Sequence, residues 1–213
     1  MKTIGNLPGE RLAGLWADLA HKVQKGKISL DEIALFNQRK NPFGVGVGKA
    51  NVIAIDRTKP FNPTESIGNG WSFWLGPADG NGLEGKPEQD DCSLALTEVD
   101  LSEILLEAHL KSRETSITGE ERLRRLIAAD RIRLDLGVFK TLWDNKEMIP
   151  ASFSGRTNNN ATCVFFDGQT LRSPDGQRFT LFLSLSGGGA WRWGVRWLGH
   201  DRFVSGPSAV LAR

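Results

Sequence analysis

Strict alternation of side chains on both sides of three consecutive glycines dominates the C-terminal part of the sequence. Before residues 187–189, one parity carries only apolar residues, namely Phe179, Leu181, Leu183 and Leu185. After the glycines, the matching parity carries Trp191, Trp193, Val195 and Trp197. A period of two is the period of a β-strand with one buried face. The sequence therefore predicts a hairpin that sets a tryptophan row against an aliphatic row.

Further strand signals precede this hairpin. Residues 164–166 and Leu171 are apolar and predict strand, and residues 173–176 spell a Ser-Pro-Asp-Gly turn. In such a turn, Pro174 presets its own φ angle and Gly176 permits a positive φ. We therefore expect residues 151–213 to form an antiparallel β module.

Helical patterns occupy much of the remaining chain. Apolar residues at spacings of three and four, together with a capping box, predict two helices within residues 8–40. Capping residues predict three more helices in the central region, beginning at Asp100, Thr118 and Asp135. The first of these is expected to extend through His109, and the third to end near Pro150. Short strands are expected at residues 52–55 and 94–96.

These patterns together predict an α+β fold with three regions. Residues 1–43 are expected to form a helical N-terminal region, and residues 44–150 a mixed α/β central region with three helices. Residues 151–213 complete the chain as an antiparallel β module. Because each region alone has a thin apolar core, we expect the three to pack as one compact unit.

Composition narrows the class of protein. Of the 213 residues, 39% are hydrophobic and 24% are charged, which is typical of a soluble globular protein. The net charge of +2 is too small to indicate nucleic-acid binding by itself, although an acidic middle separates two basic ends. Cys92 and Cys163 form no disulfide framework or metal-ligand pair, and no apolar run is long enough to span a bilayer. We expect a cytoplasmic protein with no membrane contact and no cofactor.

Six segments, in their order along the chain, carry a resemblance. They are DRTKPFNP at 56–63, SLALTEVD at 93–100, GEERLRRL at 119–126, LWDNKEMIP at 142–150, FFDG at 165–168 and PSAVLA at 207–212. Over nearly its whole length the chain resembles a family of uncharacterised proteins from small-genome, mostly uncultivated bacteria. The resemblance implies an intact protein rather than a fragment. It assigns no activity, cofactor or catalytic residue, because none is established for that family.

Two interpretations of the tryptophan row remain open. The three indoles of Trp191, Trp193 and Trp197 either pack inside the sheet or stack on a ligand such as single-stranded RNA or a sugar. Each buried tryptophan offers roughly 200 Å² of contact area, which would stabilise a small sheet considerably. The alternation also sends the intervening arginines to the other face, so that one flat surface cannot use both residue types. This separation favours the core interpretation.

Candidate binding residues lie on that other face and in a loop. Arg178, Arg192 and Arg196 are predicted to form a basic stripe that fits an anion or an RNA backbone. Trp71 and Trp74 precede a long polar loop. They are expected either to line a binding site or to anchor the loop on the core.

Carboxylates suggest a different function. Glu98 and Asp100 are two residues apart, so on a strand they would share a face, and Asp90 and Asp91 are near them in sequence. Such oxygen ligands suit a divalent cation and metal-assisted hydrolysis of a phosphodiester. The simpler interpretation is that Asp100 caps a helix and that Asp90 and Asp91 lie in a loop.

The sequence shows no catalytic constellation. We therefore expect a non-enzymatic binding or interaction protein that binds RNA or another anionic ligand on the basic sheet face. The partner is either a nucleic acid or another protein. The alternative is a metal-assisted hydrolase or nuclease that uses Glu98 and Asp100. The sequence leaves the oligomeric state open.

Overall fold

The computed structural model describes residues 21, 22, 24, 25, 51–157 and 160–213. The helical pair expected within residues 8–40 therefore lies almost entirely outside the described residues. Residues 51–213 belong to one compact unit. In the described part of the chain, no helix is both long and apolar enough to cross a membrane.

The described part is an α+β fold that contains more strand than helix. Its first half comprises β1 (Val52–Ala54), α1 (Pro63–Ser66), β2 (Ser72–Phe73), α2 (Asp91–Leu94), β3 (Glu98–Asp100), β4 (Leu105–Glu107), β5 (Ser116–Thr118), α3 (Gly119–Ala128), β6 (Arg131–Arg133) and α4 (Leu136–Asp144). Two short 3-10 helices follow at Lys146–Met148 and Ala151–Ser154. Its second half comprises β7 (Arg156–Thr157), β8 (Asn160–Ala161), β9 (Cys163–Arg172), β10 (Arg178–Leu185), β11 (Trp191–Trp197), β12 (Asp201–Phe203) and β13 (Ser208–Ala212).

A seven-stranded sheet joins strands from both halves. Its main order is β11-β10-β9-β13-β4, while β2 also pairs with β9 and β6 with β13. Strands β9, β10 and β11 pair in antiparallel fashion, as expected. The sheet is nevertheless mixed, because β13 runs parallel to β9 and antiparallel to β4 and β6. The expectation of a purely antiparallel sheet was wrong because it overlooked the last strand, which lies in the middle of the sheet.

The predicted hairpin is confirmed in detail. Strands β10 and β11 pair so that the aliphatic row faces the tryptophan row, with Leu183 opposite Trp193 and Leu185 opposite Trp191. Residues 186–190 close the hairpin, and Gly189 takes a φ of +78° there. The turn at residues 173–176 is also present, with the Gly176 amide donating to the Ser173 carbonyl.

The main apolar core lies between the first face of the sheet and α4. Leu181, Leu183 and Phe166 are fully buried on this face, and Phe139 of α4 packs edge-on against Phe166 with ring centroids 5.4 Å apart. Trp193 is half-buried and contacts the same Phe139 ring at 5.7 Å. Trp191 also packs partly buried against this core, so the core interpretation holds for two of the three tryptophans. Trp197 is the exception.

Of the three helix starts predicted in the central region, two are confirmed and one is wrong. The side chains of Thr118 and Asp135 cap α3 and α4, as expected. In contrast, Asp100 ends strand β3 and accepts a hydrogen bond of 3.0 Å from the Ser102 amide, which closes a turn instead of opening a helix. The predicted helix to His109 is replaced by β4, because pairing with β13 outweighs the local helical preference.

The remaining predictions of strands and helix ends are also partly correct and partly wrong. The strand at residues 52–55 is present as β1, whereas the strand expected at 94–96 is wrong, since Asp90 caps the short helix α2 at that place. Helix α4 ends at Asp144, earlier than expected, and a 3-10 turn takes the chain on towards Pro150.

Candidate functional site

The second face of the sheet carries charge rather than an apolar core. Phe165 of β9 lies opposite Phe182 of β10 on this face. Two guanidinium groups cover the Phe165 ring, each with its central carbon 4.5 Å from the ring centroid, and they belong to Arg122 of α3 and Arg202 of β12. Both arginines are almost completely buried, at 1% and 2% exposure. Sequence reasoning missed these contacts, because α3 and β12 are distant from β9 along the chain.

A single carboxylate balances part of this charge. Asp167 is buried, and its Oδ2 lies 3.3 Å from Nη2 of Arg122 and accepts a hydrogen bond from the Ser208 hydroxyl. Burial opposes the ionisation of Asp167, but Arg122 and Ser208 outweigh it, so that the pKa of this carboxyl lies below its usual value. Arg122 also donates to the carbonyl of Gly206. This cluster links α3 to strands β9 and β13 of the sheet.

Arg178, one of the predicted binding residues, lies inside a second charged cluster. Its two terminal nitrogens contact the carboxylates of Glu88 and Glu120, and its guanidinium lies 5.4 Å from the Trp74 ring. Burial raises the pKa of Glu120, and the nearby Glu88 adds to this effect against the opposing influence of Arg178. Arg178 is therefore buried and paired, contrary to the expectation that it belongs to an exposed stripe.

The two loop tryptophans are anchors in this structure. Trp74 is buried, and its indole nitrogen donates a 3.0 Å hydrogen bond to the carbonyl of Pro77. Trp71 is half-buried and packs edge-on against Phe179 with ring centroids 5.0 Å apart. This geometry fits the anchoring interpretation rather than the binding one, because both rings are already packed against neighbouring parts of the chain.

The other two predicted binding arginines, Arg192 and Arg196, differ from Arg178 in their exposure and in their partners. Arg192 is exposed and Arg196 is half-buried, and both lie on β11. Within residues 51–157 and 160–213, neither guanidinium has a carboxylate at ion-pairing distance; Arg196 instead lies 5.4 Å from the centre of the Phe182 ring. Most other arginines in the same part of the chain are neutralised by carboxylates, namely Arg57, Arg122, Arg124, Arg125, Arg131, Arg133, Arg178 and Arg213. Strand β11 therefore carries two neighbouring positive charges that no carboxylate of the described chain neutralises.

An open groove of about 920 Å³ runs along the end of this strand. Val195, Arg196 and Trp197 line it consecutively, although alternation places the arginine and the tryptophan on opposite faces of the sheet. Both can do so because β11 is the edge strand, where the two faces meet. The sequence alone could not show this, because it did not reveal the strand order.

Exposed aromatic side chains give the groove surfaces on which a flat ligand can stack. Trp197 is 40% exposed and Phe203 is 51% exposed, and both line the groove. His200 packs edge-on against the Trp197 indole with ring centroids 5.5 Å apart, which restricts the orientation of the indole. The groove thus offers stacking surfaces beside the Arg196 guanidinium.

Two carboxylates at the groove limit its positive charge. Asp175 accepts a hydrogen bond from the Ser173 hydroxyl in the turn between β9 and β10, and Asp201 is exposed at the start of β12. An anion is therefore expected beside Arg196 and not beside these carboxylates.

The carboxylates suggested for a metal site do not converge. Glu98 is exposed on β3, and Asp100 accepts hydrogen bonds from the amide and hydroxyl of Ser102. Asp90 is buried and contacts Nε of Arg133 at 3.3 Å. Among the residues that the structure describes, no group of three or more histidine, cysteine, aspartate or glutamate side chains could hold a metal ion.

The chain matches no protein-family model, no curated protein and no solved structure. The candidate site therefore stands on its own geometry and charge.

Proposed function

We propose that the edge groove binds single-stranded nucleic acid, with RNA as the expected ligand. A base stacks on Trp197, and the adjoining phosphates contact Arg196 and Arg192. The observation that carries this proposal is the meeting of the exposed Trp197 indole and the Arg196 guanidinium in one groove at the edge strand. Binding of single strands commonly combines such stacking surfaces with positive charge.

The charge distribution supports a phosphate-bearing ligand. Arg192 and Arg196 share one face of β11, and Arg196 directly precedes the exposed Trp197. A strand rises by about 3.3 Å per residue, so the Cα atoms of the two arginines lie about 13 Å apart along the strand. This spacing suits contact with more than one phosphate of an extended ligand. Within the described part of the chain, neither arginine must leave an ion pair to reach these phosphates.

The test is a titration of a short fluorescent single-stranded RNA with the full chain, followed by anisotropy at several salt concentrations. We expect Trp197→Ala to weaken binding by about 1–3 kcal/mol, the contribution of one stacked base. The double change of Arg192 and Arg196 to Gln should reduce the salt slope by about 0.7 for each phosphate that is no longer neutralised. Since all three side chains are at least partly exposed, we expect the fold to persist.

Arg124→Gln serves as the matched control, because Arg124 is an exposed arginine on α3, outside the groove. It should leave both the affinity and the salt slope unchanged. The proposal fails if RNA binding is absent at low salt, or if the groove variants and the control bind equally. Binding of an acidic protein instead of RNA would assign the same groove to a protein partner.

A further inference from the structure

The charged layer beneath the groove contains more positive than negative charge. Arg122 and Arg202 are buried there, and Asp167 is paired with Arg122. Burial lowers the pKa of both arginines, and Arg196 is close enough to add to this effect. In residues 51–157 and 160–213, no carboxylate reaches ion-pairing distance of Arg202. A buried charge without an ionic partner is costly, so this excess calls for a physical explanation.

Arg202 directs its hydrogen bonds to the backbone that forms the groove wall. Its Nη2 donates to the carbonyls of Arg196 and Trp197 at 3.3 Å and 3.1 Å, and its Nη1 to that of His200 at 3.5 Å. Its Nε is buried and has no hydrogen-bond partner among the described residues. The Arg202 guanidinium thus lies directly behind the backbone of Arg196 and Trp197.

This position has an electrostatic consequence. Burial lowers the pKa of Arg202 to about 9, and the neighbouring Arg122 contributes to the same effect, while the charge of Asp167 opposes it. The group is therefore still charged at neutral pH. Since water is excluded around it, its field is screened less than that of a surface arginine, and it adds to the positive potential at Arg196.

We propose that the groove contains a phosphate subsite at Arg196, and that Arg202 is the positioning residue that fixes this subsite and supplies its buried positive charge. The inference rests on the proposed function for the location of the phosphate, and it adds the part of the ligand that is recognised. A phosphate bound at Arg196 adds negative charge to a layer in which, among the described residues, Asp167 is in an ion pair with Arg122 and not with Arg202. Recognition of the phosphate does not require a base.

Inorganic pyrophosphate is the probe for this subsite. Calorimetric titration of the full chain at fixed ionic strength should show saturable binding, and chloride should not reproduce it. Arg196→Gln should weaken pyrophosphate binding about tenfold or more, and the control Arg124→Gln should not. Because Arg196 makes no ion pair within the described part of the chain, this variant is expected to fold normally.

Two substitutions at Arg202 distinguish the effect of its positive charge from the effect of its packing. Arg202→Lys keeps the positive charge and should retain most of the pyrophosphate affinity, whereas Arg202→Met should weaken it about tenfold. A purely structural role would instead make both variants lose the affinity equally, and that result would overturn the inference. Circular dichroism checks that each variant is folded, and Arg196→Gln tests the subsite if Arg202→Met does not fold.

The outcomes also distinguish this inference from the proposed function. Absence of saturable pyrophosphate binding overturns the phosphate subsite, even if RNA binds. Pyrophosphate binding that is sensitive to Arg196 and Arg202, without any RNA binding, supports the subsite and rejects a nucleic acid as its ligand. RNA binding that is unchanged in a folded Arg202→Met variant leaves the proposed function intact and rejects the role of Arg202.

Discussion

At the level of single residues, the pairing of arginines separates structural positions from candidate binding positions. Arg122 and Arg178 resemble Arg192 and Arg196 in the sequence, since all four are arginines in patterned segments. The structure buries the first two against carboxylates and leaves the other two without one in the part of the chain it describes. Alternation in the sequence predicts that Arg192 and Arg196 share one face of a strand. It could not exclude Arg178, because its carboxylate partners reach it from distant segments.

Asp167 is expected to be essential for stability. Asp167→Asn removes the carboxylate from a layer that contains the buried Arg122 and Arg202, so we expect a loss of about 3–5 kcal/mol in the free energy of unfolding. Urea titration measures this loss. Asp144→Asn, which affects an exposed ion pair with Lys140, should cost less than about 1 kcal/mol. A loss below about 1 kcal/mol for Asp167→Asn would contradict the assignment of Asp167 as the charge that holds this layer.

The Glu120 carboxyl should give stability a particular pH dependence. Its pKa is raised in the folded state, mainly by burial, above the usual value of 4.5. The folded protein therefore retains this proton to higher pH than the unfolded chain does, and the resulting stabilisation declines as the pH rises above 4.5.

The variant Glu120→Gln isolates this contribution, because it cannot titrate at this position. The difference in unfolding free energy between the original chain and the variant should decrease as the pH rises from about 4 to about 8. Urea titrations across this range measure it, with Glu147→Gln as an exposed control that should show no such trend. An increase of the difference with pH would show that ionised Glu120 stabilises the fold, contrary to the effect of its burial.

At the level of secondary structure, local patterns predicted hairpins and helix starts, and distant pairing decided the rest. The β10–β11 hairpin and the starts of α3 and α4 follow from alternation and capping within a few residues. The pattern in β13 is different, because most of its residues are buried, and so it shows no alternation. Pairing with β13 also turns residues 105–107 into a strand where a capping box predicted a helix.

The hairpin turn allows a matched pair of substitutions. Gly189 has a φ of +78°, and a side-chain carbon placed there would meet no atom within 4 Å. Gly189→Ala should therefore destabilise the chain by about 1 kcal/mol through backbone strain alone. Gly188 is equally open but does not have a positive φ of this kind, so Gly188→Ala should change the unfolding free energy by less than about 0.5 kcal/mol. Equal effects in urea titrations would contradict the turn geometry.

At the level of the complete fold, the strand order creates the candidate site. Alternation separates Arg196 from Trp197, and only the edge position of β11 brings them to one groove. The sequence drew attention to Arg196 and to Trp197 separately, but it did not predict that they line one groove. Phe203, His200 and the buried Arg202 could not be found from sequence, because their positions depend on the pairing of β12 with the distant strand β5 and on contacts at the second sheet face.

Nuclear magnetic resonance can locate the ligand and thereby test the groove as an RNA site. In a titration with single-stranded RNA, the indole N–H signal of Trp197 and the side-chain N–H signal of Arg196 should shift most, with Trp197→Phe used to assign the indole. The signals of the buried Trp74 and of Arg124 on α3 should stay in place. Shifts confined to residues away from the groove, or no shifts at RNA concentrations that saturate binding, would contradict an RNA site at this edge of the sheet.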